Sequence, residues 1–253
     1  MDRGLYAASS GGLQASRRLD VVANNLANVN TPGFKAERIR ARQQQFEDTL
    51  ASTLPQGQNH RGDFERVPGV VGDGTFTDFA PGPIESTGNP LNVALVPKDQ
   101  FFVVLGANGE EFTRAGNFTI NSENELVTPD GAKVSGGGSS ITVPPGGSVR
   151  ILDNGNIVVG PLKGSGQQVA SSQVVGQLQV VKVSDLQQLE RTQGTRFRLK
   201  GGGTTPVENP MVMPESLEMA NVSHAAFSVQ MVENALARRS DQTREQVYHQ
   251  LTS

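Results

Sequence analysis

The chain of 253 residues has no cysteine, no tryptophan, two tyrosines and three histidines. Without cysteine there is no thiol nucleophile, no Cys-ligated zinc and no iron–sulfur cluster, and cysteine usage leaves the redox compartment open. His60, His224 and His249 have no partner at metal-ligand spacing, and neither an HExxH run nor an EF-hand loop occurs. Gly164-Ser165-Gly166 lacks the outer glycines of a nucleophile elbow. Gly72-Asp73-Gly74 lacks the third glycine and following helix of a dinucleotide fingerprint. Excess basic charge is missing too: 22 Lys and Arg against 25 Asp and Glu give a formal charge of −3, which supplies no general affinity for nucleic acid. The longest strongly apolar stretch is Phe101 to Leu105, so no membrane span is expected. The start, Met1-Asp2-Arg3-Gly4-Leu5-Tyr6, carries an acid and lacks the apolar run of a secretory leader. Together these absences predict a non-enzymatic chain with no cofactor, no metal, no small-molecule substrate, no nucleic-acid partner and no membrane insertion.

What is present is a chain with helical periodicity at both ends and strand signals between them. Steps of three and four visit Leu5, Ala8, Gly12, Ala15, Leu19, Val22, Leu26 and Val29, an apolar seam along a helix that should stop near Asn30, before Pro32 and Gly33. Val222, Ala225, Val229, Val232 and Leu236 repeat the pattern after Pro210 and Pro214. The small residues Ala8, Gly12 and Ala15 suit close helix–helix approach, and the glycines at 4, 11 and 12 make the first helix weak on its own. Pro and Gly crowd the segment from Pro55 to Pro90, which reads as extended connector.

Short strands are predicted at 91–96, 101–105, 117–120, 125–128, 149–152, 157–159, 174–183 and 195–199, with tight turns at Asn108-Gly109, Asp130-Gly131 and Asn154-Gly155. The paired acids Glu110-Glu111 follow one such turn. A strand sends them to opposite faces, and both are expected as solvated surface. The expected organisation is α+β: an N-terminal helix over 1–34, an extended linker over 35–74, a central antiparallel β-domain over 75–205, and a return segment with a C-terminal helix over 206–253.

The run Ala23-Asn24-Asn25-Leu26-Ala27-Asn28-Val29-Asn30-Thr31-Pro32-Gly33-Phe34-Lys35 resembles the signature that ends the N-terminal helix in rod and hook proteins of the bacterial flagellum. The likeness continues through Ser86–Leu95, Phe101–Val104, Phe112–Phe118, Leu126–Gly131, Ile141–Pro144, Leu217–Val222 and Gln230–Val232, in the family's order. Where relatives usually carry glycines before the Phe pair, this chain has Pro97-Lys98-Asp99-Gln100. Within the family, the Met1-Asp2-Arg3 start, the modest length, the segment 175–181 and Arg196-Phe197-Arg198 point to the proximal rod, with the distal rod as the alternative.

The resemblance implies a structural subunit of the motor's drive shaft, exported through the flagellar type III apparatus without a cleaved signal. It would assemble with copies of itself and other rod proteins in the basal body, across the periplasm. It also implies that the N- and C-terminal helices pair near the axis as a coiled-coil-like domain with the β-domain outside. The seam residues above, with Asn24, Asn25 and Asn28, are then the candidate assembly interface, since a side-chain amide offers both donor and acceptor to neighbouring backbone. A secreted β-rich binding module would explain the middle of the chain but not its helical ends.

Overall fold

The computed structural model describes residues 2–45, 68–106, 109–160 and 173–222. Among them are one α-helix, one 3-10 turn and eighteen strands, and the chain divides into two compact units.

In the first unit, helix α1 (Asp2–Ala27) lies against strands β1 (Glu37–Gln45) and β2 (Pro68–Thr77). These two strands form an antiparallel ribbon in register from Glu37 opposite Thr77 to Gln45 opposite Pro68, with an irregularity between Ile39 and Ala41. The Arg40 guanidinium sits over the Phe76 ring at 5.6 Å, and Arg38 pairs with Asp78 at 2.8 Å.

The second unit joins Asn28–Ala36 to Phe79–Asn221. Its strands are β3 (Ile84–Ser86), β4 (Val93–Leu95), β5 (Gln100–Gly106), β6 (Gly109–Thr113), β7 (Thr119–Ile120), β8 (Leu126–Val127), β9 (Lys133–Val134) and β10 (Ser148–Ile151). They continue with β11 (Asn156–Gly160), β12 (Gln173–Gln177), β13 (Val180–Val183), β14 (Leu189–Gln193), β15 (Arg196–Leu199), β16 (Thr204–Pro206), β17 (Val212–Pro214) and β18 (Ser216–Glu218). The largest sheet runs β14-β15-β6-β5-β9-β8-β7, with β13 bridging β5 and β16; β10-β11-β12 form a second sheet, and β17 and β18 return to pair with β4 and β3.

Strand β5 explains this arrangement. Its run Phe101-Phe102-Val103-Val104 is apolar on both faces, and the structure covers both, as a continuous rather than alternating pattern requires. Phe102 and Val104 join a core with Val93, Leu95, Phe118, Leu126, Ile157 and Leu178. Phe101 and Val103 join another with Phe79, Phe112, Val181 and Phe197. Phe79, Phe101 and Phe197 meet with ring centroids 5.2–6.4 Å apart, the tilted and edge-to-face geometry that aromatic pairs favour. The expected strand at 174–183 is two strands, because Leu178 and Gln179 carry the chain from β11 to β5: Leu178 N–H donates to Gly155 and Gln179 N–H to Ser135. Gly131 and Gly155 have φ of 85° and 76°, the left-handed backbone their turns demand.

The expected α+β class with two paired terminal helices is corrected by these observations. Among the described residues the protein is a mostly β structure with a single α-helix, whose neighbours are strands rather than a second helix. The segment 35–74, expected as linker, supplies one of those strands in full and much of the other. An apolar seam states that a helix face needs cover, and a ribbon can offer cover as well as a helix can. Val222 is the last described residue, half-buried; Ala225, Val229, Val232 and Leu236 lie outside the described residues.

Candidate functional site

The Asn-rich run at the end of α1 turns and inserts its last residues into the second unit. Thr31 N–H donates to the Asn28 carbonyl at 3.0 Å, Phe34 N–H to the Thr31 carbonyl at 3.3 Å, and the Thr31 hydroxyl to Asn28 Oδ1 at 3.3 Å. One side chain of the run satisfies both backbone groups of the first residue of β1. Asn25 Nδ2 donates to the Glu37 carbonyl at 2.8 Å while Asn25 Oδ1 accepts from Glu37 N–H at 2.9 Å.

Gly33 has φ of 69°, and its N–H donates to the Glu218 carbonyl at 2.7 Å. A Cβ there would stand 2.2 Å from Ala115 N and 2.5 Å from the Arg114 carbonyl carbon, both backbone atoms. Only glycine combines this conformation with this approach. Phe34 and Lys35 follow, 2 % and 1 % exposed.

Lys35 ends in a buried ionic cluster. Its Nζ donates to Glu218 Oε1 at 2.6 Å and to the Ala80 carbonyl at 2.8 Å. The other carboxylate oxygen of Glu218 accepts from Arg114 Nε at 2.7 Å, and Gly82 N–H donates to Oε1 at 3.1 Å. Arg114 Nη2 also meets Glu218 Oε2, and the other guanidinium donors go to the carbonyls of Leu95, Pro97 and Gln100. The departure at Pro97–Gln100 is thus a turn whose carbonyls hold a buried guanidinium. Burial pushes the Arg114 pKa down, opposed by the adjacent Glu218 carboxylate and, more weakly, by Asp99. Two cations and one carboxylate share this interior. Above them Arg191 donates to the Lys35 carbonyl, its guanidinium 4.6 Å from the Phe34 ring centre and 5.0 Å from that of Phe197.

The match to known families follows the same residues. The family model described as flagella basal body rod protein matches residues 5–35, ending on Lys35, and the flagellar hook protein FlgE/F/G D1 domain model matches 98–159. A flagellar basal-body rod protein FlgF of Caulobacter vibrioides is 31 % identical over 97 % of this chain and 95 % of its own length. The chain belongs to the flagellar basal-body rod protein family. Similar relatives include FlgF of Salmonella typhimurium, 30 % identical over 93 % of this chain and 89 % of that protein, and FlgG of Bacillus subtilis, 28 % identical over 98 % and 94 %.

On this rod-family chain the candidate seam residues Leu5, Ala8, Gly12, Ala15, Leu19, Val22 and Leu26 all lie on α1, with Asn24 and Asn25. Val22 and Asn25 are buried, Ala15 and Leu19 half-buried, Gly12, Asn24 and Leu26 exposed; Asn28 and Val29 are half-buried in the turn beyond. Lys35, Arg114, Glu218, Asn221 and Arg191 were not singled out by sequence reasoning, although the first four fall inside the motifs that carry the resemblance. The available signal was a charged residue set among small or apolar neighbours, as in Thr113-Arg114-Ala115-Gly116 and Ser216-Leu217-Glu218-Met219. Glu111 is a correction: Glu110 is exposed as expected, but Glu111 is buried and pairs with Arg196 at 2.9 Å and Arg198 at 3.3 Å. The alternation rule placed the two acids on opposite faces correctly, and on its face Glu111 is shielded by the Arg196 and Arg198 side chains of the neighbouring strand β15. Among the described residues no three His, Cys, Asp or Glu side chains are grouped to hold a metal ion, and no helix is long and apolar enough to cross a membrane.

Proposed function

We infer that the chain is a structural subunit of the flagellar basal-body rod, self-assembling with its neighbours to transmit motor torque. The observation that carries this is similarity along 97 % of the chain to a protein named as a basal-body rod protein. The proximal level of the rod is supported by the FlgF relatives, matched over nearly their whole length, and by the segments 175–181 and 196–198. The distal level is the second reading, favoured by the FlgG relatives. A structural rather than catalytic role, other rod proteins as partners and export through the flagellar type III apparatus belong to the same reading, supported by family membership.

The assembly surface comprises the seam of α1 and its exit, from Leu5 to Val29 with Asn24, Asn25 and Asn28, together with Val222, Ala225, Val229, Val232 and Leu236. Two large apolar side chains on α1, Leu13 at 55 % and Leu26 at 38 % exposure, support it, since open apolar surface favours cover by a neighbour. Leu26→Asp tests the reading. Burying a leucine contributes about 1.5–3 kcal/mol, and an unpaired carboxylate in its place adds a desolvation cost. Because the side chain is accessible in the single chain, the purified variant should melt within a degree or two of the parent, while cells carrying it build no complete rod and do not swim. Normal swimming refutes this surface.

A further inference from the structure

The second unit receives the chain at Asn28, releases it after Ala36, takes it back at Phe79 and releases it after Asn221. Inside that unit, residues beside three of these passages are tied by one carboxamide. Asn221 Oδ1 accepts from Ala36 N–H at 2.7 Å, Asn221 Nδ2 donates to the Ala80 carbonyl at 3.0 Å, and Asn221 N–H donates to the Phe34 carbonyl at 3.4 Å. The Ala80 carbonyl also accepts from Lys35 Nζ at 2.8 Å, so the buried ionic cluster holds the same junction from below. Met219 N–H donates to the Pro83 carbonyl at 2.8 Å, fastening the segment just before Asn221.

We propose that Asn221 is a positioning residue for rod assembly, whose carboxamide gathers the three points of chain passage so that the segments running to both termini depart from adjacent, fixed backbone. Its assembly half rests on the rod-subunit reading. Donor and acceptor are both needed: the Ala36 peptide offers only N–H and the Ala80 peptide only its carbonyl, and of the twenty side chains a primary amide of this length presents one of each. Asn221 is half-buried, and its bonds to Ala36, Ala80 and Phe34 fix the direction of the chain at this junction.

The test uses the full chain with Asn221→Leu, which keeps size and loses both links, and Asn221→Asp, which keeps the acceptor for Ala36 and loses the donor to Ala80. Amide hydrogen exchange at Ala36, the melting temperature and swimming of cells carrying each variant are measured together. Losing the bond that closes the Ala36 amide should speed its exchange about tenfold in Asn221→Leu and less in Asn221→Asp, with melting lowered by at most a few degrees and swimming impaired in the order Leu more than Asp. Parental exchange at Ala36 in Asn221→Leu, a melting temperature lowered by about 10 °C or more, or parental swimming despite faster exchange each overturns the proposal. Cells that swim without the chain overturn the rod reading instead, and Ala36 exchange still decides whether Asn221 gathers the passages.

Discussion

The buried cluster of Lys35, Glu218 and Arg114 has an asymmetry that yields a sharp ordering of variants. Glu218→Gln removes the one carboxylate and leaves two cations facing an amide in a site where all three side chains are at most 2 % exposed. Breaking a buried ion pair by removing one partner costs about 3–5 kcal/mol, because the charge left behind is neither solvated nor paired. Here the single substitution takes the Glu218 carboxylate from both Lys35 and Arg114, so the upper end of that range is the expected value. Lys35→Met is the counter-experiment: it leaves Glu218 paired with Arg114, a neutral couple, and forfeits the hydrogen bond to Ala80 while keeping much of the apolar stem. Its expected cost is about 1–2 kcal/mol.

Urea unfolding measures both. With no tryptophan, and tyrosines only at positions 6 and 248, fluorescence is blind to the second unit, so the strands are followed by circular dichroism in the far ultraviolet. A loss of about 3–5 kcal/mol moves the midpoint by about 1–5 M urea at slopes of about 1–3 kcal/mol/M. If Lys35→Met costs as much as Glu218→Gln, charge balance is not what holds the signature peptide in place, and the reasoning fails.

Three further outcomes are expected. Gly33→Ala must adopt a left-handed backbone, costing about 1–2 kcal/mol, and its methyl meets the Ala115 and Arg114 backbone, so faster amide exchange across residues 33–36 should accompany the fall in urea midpoint. Glu111→Lys sets a third cation against Arg196 and Arg198 in a buried position and should lower stability by about 3–5 kcal/mol; an unchanged midpoint would show that the ion pair contributes nothing. The Glu125 carboxyl is lowered to about 2, first by its hydrogen bond from Lys133 and then by that from Ser140. A depressed folded-state pKa stabilises above the unfolded value of 4.5 and is lost as pH falls toward 2, so Glu125→Gln should flatten the stability loss in that window, and equal slopes would refute the assignment.

Much of the second unit was legible because its signals are local. The Phe101–Leu105 run, the Asp130-Gly131 and Asn154-Gly155 turns and the short β-branched segments each specify their element without reference to distant chain. Helix α1 was legible for the same reason, from its three-four periodicity. The ribbon of β1 and β2 was not: Glu37-Arg38-Ile39-Arg40-Ala41-Arg42 is mostly charged, and its partner begins at Pro68 in Gly-rich sequence, so neither strand carries the apolar alternation that reveals a half-buried sheet.

The signature at the end of α1 shows where a motif's information stops. Its letters announce a helix end and a turn, and they contain Gly33 and Lys35, yet nothing local says why either residue must be there. Gly33 is required by the backbone of residues 114 and 115, and Lys35 by a carboxylate 183 positions away. Each is the solution to a packing problem posed by the other end of the chain. Closing so long a loop is entropically opposed, which explains the means used: an ion pair, a stacked arginine and five hydrogen bonds converging on residues 33–36, rather than one apolar contact. The peptide that leaves the helix is therefore held only when residues 191 and 218–221 are in place, so the N-terminal junction depends on a folded second unit. A chain truncated before Glu218 should lose the docking of residues 33–36, measured as faster amide exchange there than in the full chain.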